Sequence, residues 1–327
     1  MASEIENVVI HAGDCSLTLI PALGAKFSSL KVGQVELLQA PLNPYALRTK
    51  TMPFDEGDAS GWDECLPSVA ECKVDTQAGP AHIPDHGDLW RLSWEVLSTT
   101  SDSASLRATC VSLPLQVSRT LFLREAATGW RLSLIYTVAN SGSVPVPWSW
   151  AAHPLFVTEA GDRIHLPPSI SQLRVEGSGS NLLGASGATV QWPVTVLVDG
   201  SSDDLSIAKS PQSGRGDKLF TGPITAASEG WCALERHSVG LRLTVRFDPA
   251  ATPYIGLWLC YGGWPGTPDA PGKKQVCVAL EPTTAPVDSL AVTGPWSRTL
   301  QPGESFTWPM ELEIDRIKQK NEANPNE

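Results

Sequence analysis

A side-chain alternation with a period of two recurs along this chain and restricts its fold more than any other feature. From Trp130 to Val138, the residues Trp130, Leu132, Leu134, Tyr136 and Val138 share one face. From Leu241 to Phe247, the residues Leu241, Leu243, Val245 and Phe247 do the same, and Leu17–Ile20 and Trp90–Val96 read likewise. Successive side chains of an extended strand point to opposite sides, so each run is a half-buried strand. Val276–Leu280 is apolar on both faces and reads as a central strand. Segments with helical spacing are scarce, and 27 Gly and 27 Pro cut the chain into short pieces, as in antiparallel sandwiches and barrels.

The length of 327 residues does not force a division, because all-β units exceed two hundred residues as single domains. One β domain over 1–315 with a polar tail over 316–327 is expected. Val198–Gly230 is rich in Ser, Gly and Asp with little apolar periodicity, and reads as a long loop carrying at most a short strand near Leu219 and Phe220. The Arg215-Gly216-Asp217 tripeptide inside it reads as chance.

A net charge of −11 without a cluster of Lys and Arg argues against a nucleic-acid partner. No apolar run approaches the ~20 residues that span a bilayer, and the acidic start lacks the pattern of a signal peptide. A cytoplasmic protein is expected, without a membrane partner, as a monomer or weak homodimer. Seven cysteines (Cys15, Cys65, Cys72, Cys110, Cys232, Cys260 and Cys277) show no metal-ligand spacing and read as reduced, mostly buried thiols. No metal or cofactor is expected.

Three distant segments carry the candidate chemistry: His86 to Trp90, His153 to Phe156, and Leu280 to Pro282. Each sets a titratable side chain beside residues that break or end regular structure. If alternation is strict, Ser149 and Ala151 share the face of His153, while Cys277 and Ala279 share that of Glu281. Both groups then stand at the end of a strand whose same-face neighbours are small, which leaves a concavity. Two imidazoles and one carboxylate supply proton transfer at both ends of a hemiacetal. Further candidates for ligand contact are Arg48, Asp63, Glu64 and His82. Trp264 joins them because indole faces stack on pyranoses, while Trp258 reads as core. His11, His165 and His237 sit in ordinary strand-like contexts and read as structural.

Val276–Thr284, with His153–Phe156 and Pro84–Gly87, resembles the aldose 1-epimerase (galactose mutarotase-like) superfamily. Pro21–Leu30 is similar to that family's opening hairpin, and Leu300–Trp308 to its closing loop and strand. The resemblance runs from about residue 8 to 315. It implies a large twisted antiparallel β-sandwich whose cleft binds a monosaccharide. It also implies Glu281 as general base toward the anomeric hydroxyl, His153 as general acid toward the ring oxygen, and His86 as a substrate-holding group. Hexose-6-phosphate mutarotases of this superfamily carry an Arg where this chain has Trp90. Arg91 follows one position later, on the opposite strand face, so an unphosphorylated sugar is expected. The alternatives are a non-catalytic carbohydrate-binding protein of the same fold and a hexose-6-phosphate mutarotase. A lyase or hydrolase on a related sandwich needs a helical partner region that this sequence lacks.

Overall fold

The computed structural model describes residues 6–49, 52–54, 59–266 and 272–317. Two antiparallel sheets, of eleven and eight strands, dominate the architecture, and their inner faces share one hydrophobic core. Helical structure among the described residues is confined to short 3-10 turns such as Pro21–Leu23 and Leu89–Arg91. The fold is thus the expected antiparallel β-sandwich. No helix among the described residues is long and apolar enough to cross a membrane.

The alternating runs form the strands they predict. Trp130–Val138 lies in strand Gly129–Asn140, whose buried side is those five residues and Asn140, and Leu241–Phe247 is a strand in full. These two strands flank Ser305–Arg316 in the eight-stranded sheet. That last strand runs to Arg316, and 318–327, most of the expected polar tail, lie outside the described residues.

Two expectations fail. Trp90–Val96 is not one strand: Leu89–Arg91 turns, and the strand begins at Glu95. The turn follows His86 and Gly87, both at positive φ (57° and 70°), with Trp90 held by its indole N–H donating to the Asp85 carbonyl at 3.0 Å. Val198–Gly230 carries the strand expected near Leu219 and Phe220, but the rest is not one long loop. Ser202–Asp204 is a strand, and Arg215–Thr221 is a fully buried strand inside the larger sheet, between Gln172–Ser178 and Tyr254–Tyr261. Its polar residues are paired: Arg215 Nε donates to Asp217 at 2.6 Å and Nη1 to Asp203 at 2.7 Å. A strand with charges on buried positions has no apolar period for the sequence to display.

A charged cluster also crosses the core between the sheets. Alternation in Leu115–Ala126 puts Arg119 on the buried face, in line with Leu115, Val117 and Leu121. Arg119 Nη1 donates to Glu64 Oε1 at 3.0 Å, and its guanidinium stacks over Phe27. Glu64 also accepts from the Tyr136 hydroxyl at 2.8 Å and the Trp150 indole N–H at 3.0 Å. Burial pushes the Glu64 carboxyl up to about 7 against the pull of Arg119, Tyr136 and Trp150. A carboxyl whose pKa is raised on folding adds stability below its unfolded value and loses it as pH climbs through the folded value. Glu64→Gln is therefore expected to remove a decline in thermal stability between about pH 4.5 and about 7. Melting curves across that range check this, and an unchanged slope refutes it.

Candidate active site

The site is built on one face of the larger sheet, where five neighbouring strands run in register. Ala151 pairs with Thr283 and Leu155 with Ala279, so His153 falls opposite Glu281. On one side His153 pairs with Asp63, and on the other Glu281 pairs with Gly256, which in turn pairs with Phe220. Directly opposed residues share a face, so this row of side chains points the same way. One pleat further along the strands, Ala279, Trp258 and Lys218 form a parallel row. Both His153 and Glu281 lie inside their strands, Ala151–Val157 and Val276–Thr283, rather than at the ends.

Small residues beside Glu281 make room for its carboxylate. A side chain at Gly256 would place its Cβ 2.8 Å from Glu281 Oε2 and 3.1 Å from Phe220 Cε1. His153 Nε2 stands 3.8 Å from Glu281 Oε1, and that oxygen has no hydrogen-bond partner. The other oxygen, Oε2, accepts from Lys218 Nζ. Asp288 Oδ1 lies 3.8 Å from the same ammonium.

Above these groups opens a cavity of about 420 Å³. His86, His153, Lys218 and Asp288 line its polar side, and Phe54, Trp258 and Trp264 line its aromatic side. His86 is presented by the positive-φ turn, which brings Gly87 against Leu66, where a Cβ would sit 2.2 Å from the Leu66 carbonyl oxygen. Its ring stacks on Phe54 at 3.6 Å and meets that of His153 at 5.3 Å. Glu281 is 0% exposed and lies beneath the cavity floor, behind Lys218 and His153.

The electrostatics follow from this burial. Desolvation pushes the Glu281 carboxyl above the usual carboxylate range, and Lys218 opposes it. Desolvation, then His86, Lys218 and Lys26, holds the His153 imidazole well below the ordinary histidine value. Burial alone would lower the Lys218 ammonium, but Glu281 and Asp288 outweigh it and raise its pKa.

The structure brings His153, His86 and Trp264 to the cavity, sets Glu281 under it against His153, and puts four other candidates elsewhere. Asp63 shares the face of His153 but is buried under Lys26, 2.5 Å away, and Arg48. Arg48 is engaged by the carbonyls of Leu23 (3.1 Å) and Trp90 and by Asp63. Glu64 follows Asp63 in the same strand, so it must point the opposite way, into the core. His82 sits on the hairpin Cys72–Thr76 with Gly79–Ile83, half exposed and 3.2 Å from Glu71. None of the four lines the cavity. Arg91 is also away from it, stacked over Trp90 and donating to the Asp85 carbonyl at 2.9 Å.

Sequence reasoning misses Lys218, Asp288, Phe54 and Gln275, and reads Trp258 as core although it lines the cavity. Gln275 accepts from the Trp258 indole N–H at 3.2 Å and fixes that ring. The available signal is a lysine beside the Leu219-Phe220 pair that reads as a short strand. Trp264→Ala is expected to weaken binding of a cavity ligand about tenfold, the loss of roughly one aromatic contact. Titration calorimetry with a ligand of the cavity measures it, and undiminished affinity excludes Trp264 as a stacking wall.

No family model and no curated protein matches the sequence. Solved structures match over almost the full chain. A protein of Synechocystis sp. PCC 6803 is 15% identical, with a TM-score of 0.69, covering 96% of this chain and 97% of its own. A galactose mutarotase-like protein of Clostridium acetobutylicum is 16% identical with a TM-score of 0.62, covering 97% of each chain. An aldose epimerase homologue of C. elegans is 16% identical with a TM-score of 0.62, covering 96% of this chain and 99% of its own. This chain has the galactose mutarotase-like fold.

Proposed function

We propose that this protein is an aldose 1-epimerase that interconverts the α and β anomers of an unphosphorylated monosaccharide. The observation that carries this reading is the unpartnered Glu281 Oε1 facing His153 Nε2 at 3.8 Å beneath an aromatic-walled cavity. That gap is too long for a direct hydrogen bond, but one oxygen at about 2.8 Å from both atoms completes a triangle with them. The anomeric and ring oxygens are bonded to the same carbon, so a base and an acid this close together can serve both.

In the forward step Glu281 takes the proton of the anomeric hydroxyl. The O–H electron pair becomes the C1 carbonyl, the bond from C1 to the ring oxygen breaks, and His153 gives that oxygen a proton. Rotation about C1–C2 exposes the other carbonyl face, and closure reverses both transfers. The pair holds one exchangeable proton before and after, moved from the imidazolium of His153 to the carboxylate of Glu281. Burial raises the one group and lowers the other, which brings their proton affinities together and favours such a transfer. The reaction requires no net redox change. Lys218, the lining cation, is already held between two carboxylates, which supports a sugar without phosphate.

A polarimetric assay of freshly dissolved pure anomers, across a panel of aldoses, tests the proposal. Acceleration of one or more supports it; no acceleration of any by folded protein rejects it. The zero exposure of Glu281 favours a second reading, a sugar-binding protein without turnover, in which the panel shows affinity but no rate.

A further inference from the structure

We infer that Lys218 is a positioning residue, which fixes the oxygen of Glu281 that takes the proton and holds that carboxylate in its charged form, with Asp288 as the counterweight. The inference rests on the mutarotase reading of the site. Its first support is geometric. Lys218 stands on strand Arg215–Thr221, two strands away from Glu281, and reaches past Gly256 to bond Oε2. No side chain fills that intervening position, and a Cβ there would collide with Oε2. Oε2 is thereby occupied, and Oε1 alone is left toward His153.

The second support is the third member of the cluster. Asp288 is held by its backbone: its carbonyl accepts from Val69 N–H (2.9 Å) and Ala70 N–H (2.8 Å), and its N–H donates to Glu176. Its Oδ1 has no hydrogen-bond partner and lies 3.8 Å from Lys218 Nζ. The ammonium is therefore shared unequally between two carboxylates. A fully buried carboxylate without a cation beside it takes up a proton instead, and a protonated Glu281 is no base. The remaining titratable groups facing Glu281 are His153 on the neighbouring strand, Cys65 one strand beyond it, Cys277 on its own strand, Cys232 of the opposing sheet, and His86 across the cavity. Among all these groups, only Lys218 bonds the carboxylate directly.

The sign of each substitution follows. Lys218→Met removes the cation, so the acid limb of the rate–pH profile moves up, by about 1–3 pH units for an opposite charge at this range. Lys218→Arg keeps the charge and restores most of the limb. Asp288→Asn removes a competing anion, so the limb moves down. A residue that merely fills space does not give opposite displacements. The experiment is the pH profile of anomerisation for wild type and the three variants. An acid limb that stays in place in both Lys218→Met and Asp288→Asn, with an active wild type, overturns the inference and leaves the mutarotase reading standing. If the wild type accelerates no sugar, that reading fails instead. Infrared titration of the Glu281 carboxyl, assigned through Glu281→Gln, then decides the inference by whether its midpoint moves up in Lys218→Met. Asp288→Asn serves the same purpose should Lys218→Met fail to fold.

Discussion

Glu281→Gln is expected to lower the rate of anomerisation by ~10²–10⁴-fold while leaving sugar affinity nearly unchanged, because it removes the base and little else. The amide oxygen of glutamine still accepts from Lys218, so the ammonium keeps a partner. The cavity walls, Phe54, Trp258 and Trp264, do not touch the change. The loss therefore falls on turnover rather than on binding, which polarimetry and calorimetry measured on the same preparation separate. A variant as fast as wild type removes Glu281 from the chemistry. A wild type that binds sugar without accelerating it gives the non-catalytic reading its support.

Arg119→Met is expected to destabilise the fold by about 3–5 kcal/mol, since it strips Glu64 of its cation and leaves a carboxyl between the sheets that must take up a proton or stand unpaired. Arg119 is 0% and Glu64 1% exposed, so solvent screens neither. The replacement also uncovers Phe27 and Trp94, over which the guanidinium lies at 4.3 and 5.2 Å. The double variant Arg119→Met with Glu64→Gln is expected to recover much of the loss, because it removes both buried charges while the amide oxygen can still accept from Tyr136 and Trp150. Thermal melts of the single and double variants check this. A single variant that melts with the wild type shows that the cluster does not support the sandwich. The same comparison tests the placement of Glu64 in the core, away from ligand.

The strands legible in the sequence are those with one wet and one dry face, such as Gly129–Asn140 and Leu241–Phe247. Of Arg215–Thr221 only Leu219 and Phe220 are legible, for the opposite reason: the strand is buried on both faces, yet carries Arg215, Asp217 and Lys218 in paired form. Local rules of pattern break where a chain commits polar groups to a site. His153, Glu281 and His86 are legible because short motifs mark them. Lys218 and Asp288 have no motif, and only the strand register shows that one lies in line with Trp258. Asp63 and Glu64 share one role in the sequence reading, although adjacent strand residues must face apart. His82 is grouped there with His86 by closeness in sequence, but the two are separated by the end of a hairpin and a turn.

The strand order carries one more consequence. Ser305–Arg316 is the middle ribbon of the smaller sheet, flanked by segments made about 175 and about 70 residues before it, as the paired residues show. A ribosome must therefore deliver the chain through Arg316 before the half-built sandwich can close, and until then Arg119, Tyr136 and their neighbours face water or a chaperone. Closure of this kind depends on distant pairings and proceeds slowly. Clipping within that ribbon would split the smaller sheet into two parts with raw edges, which makes aggregation the natural fate of a shortened chain.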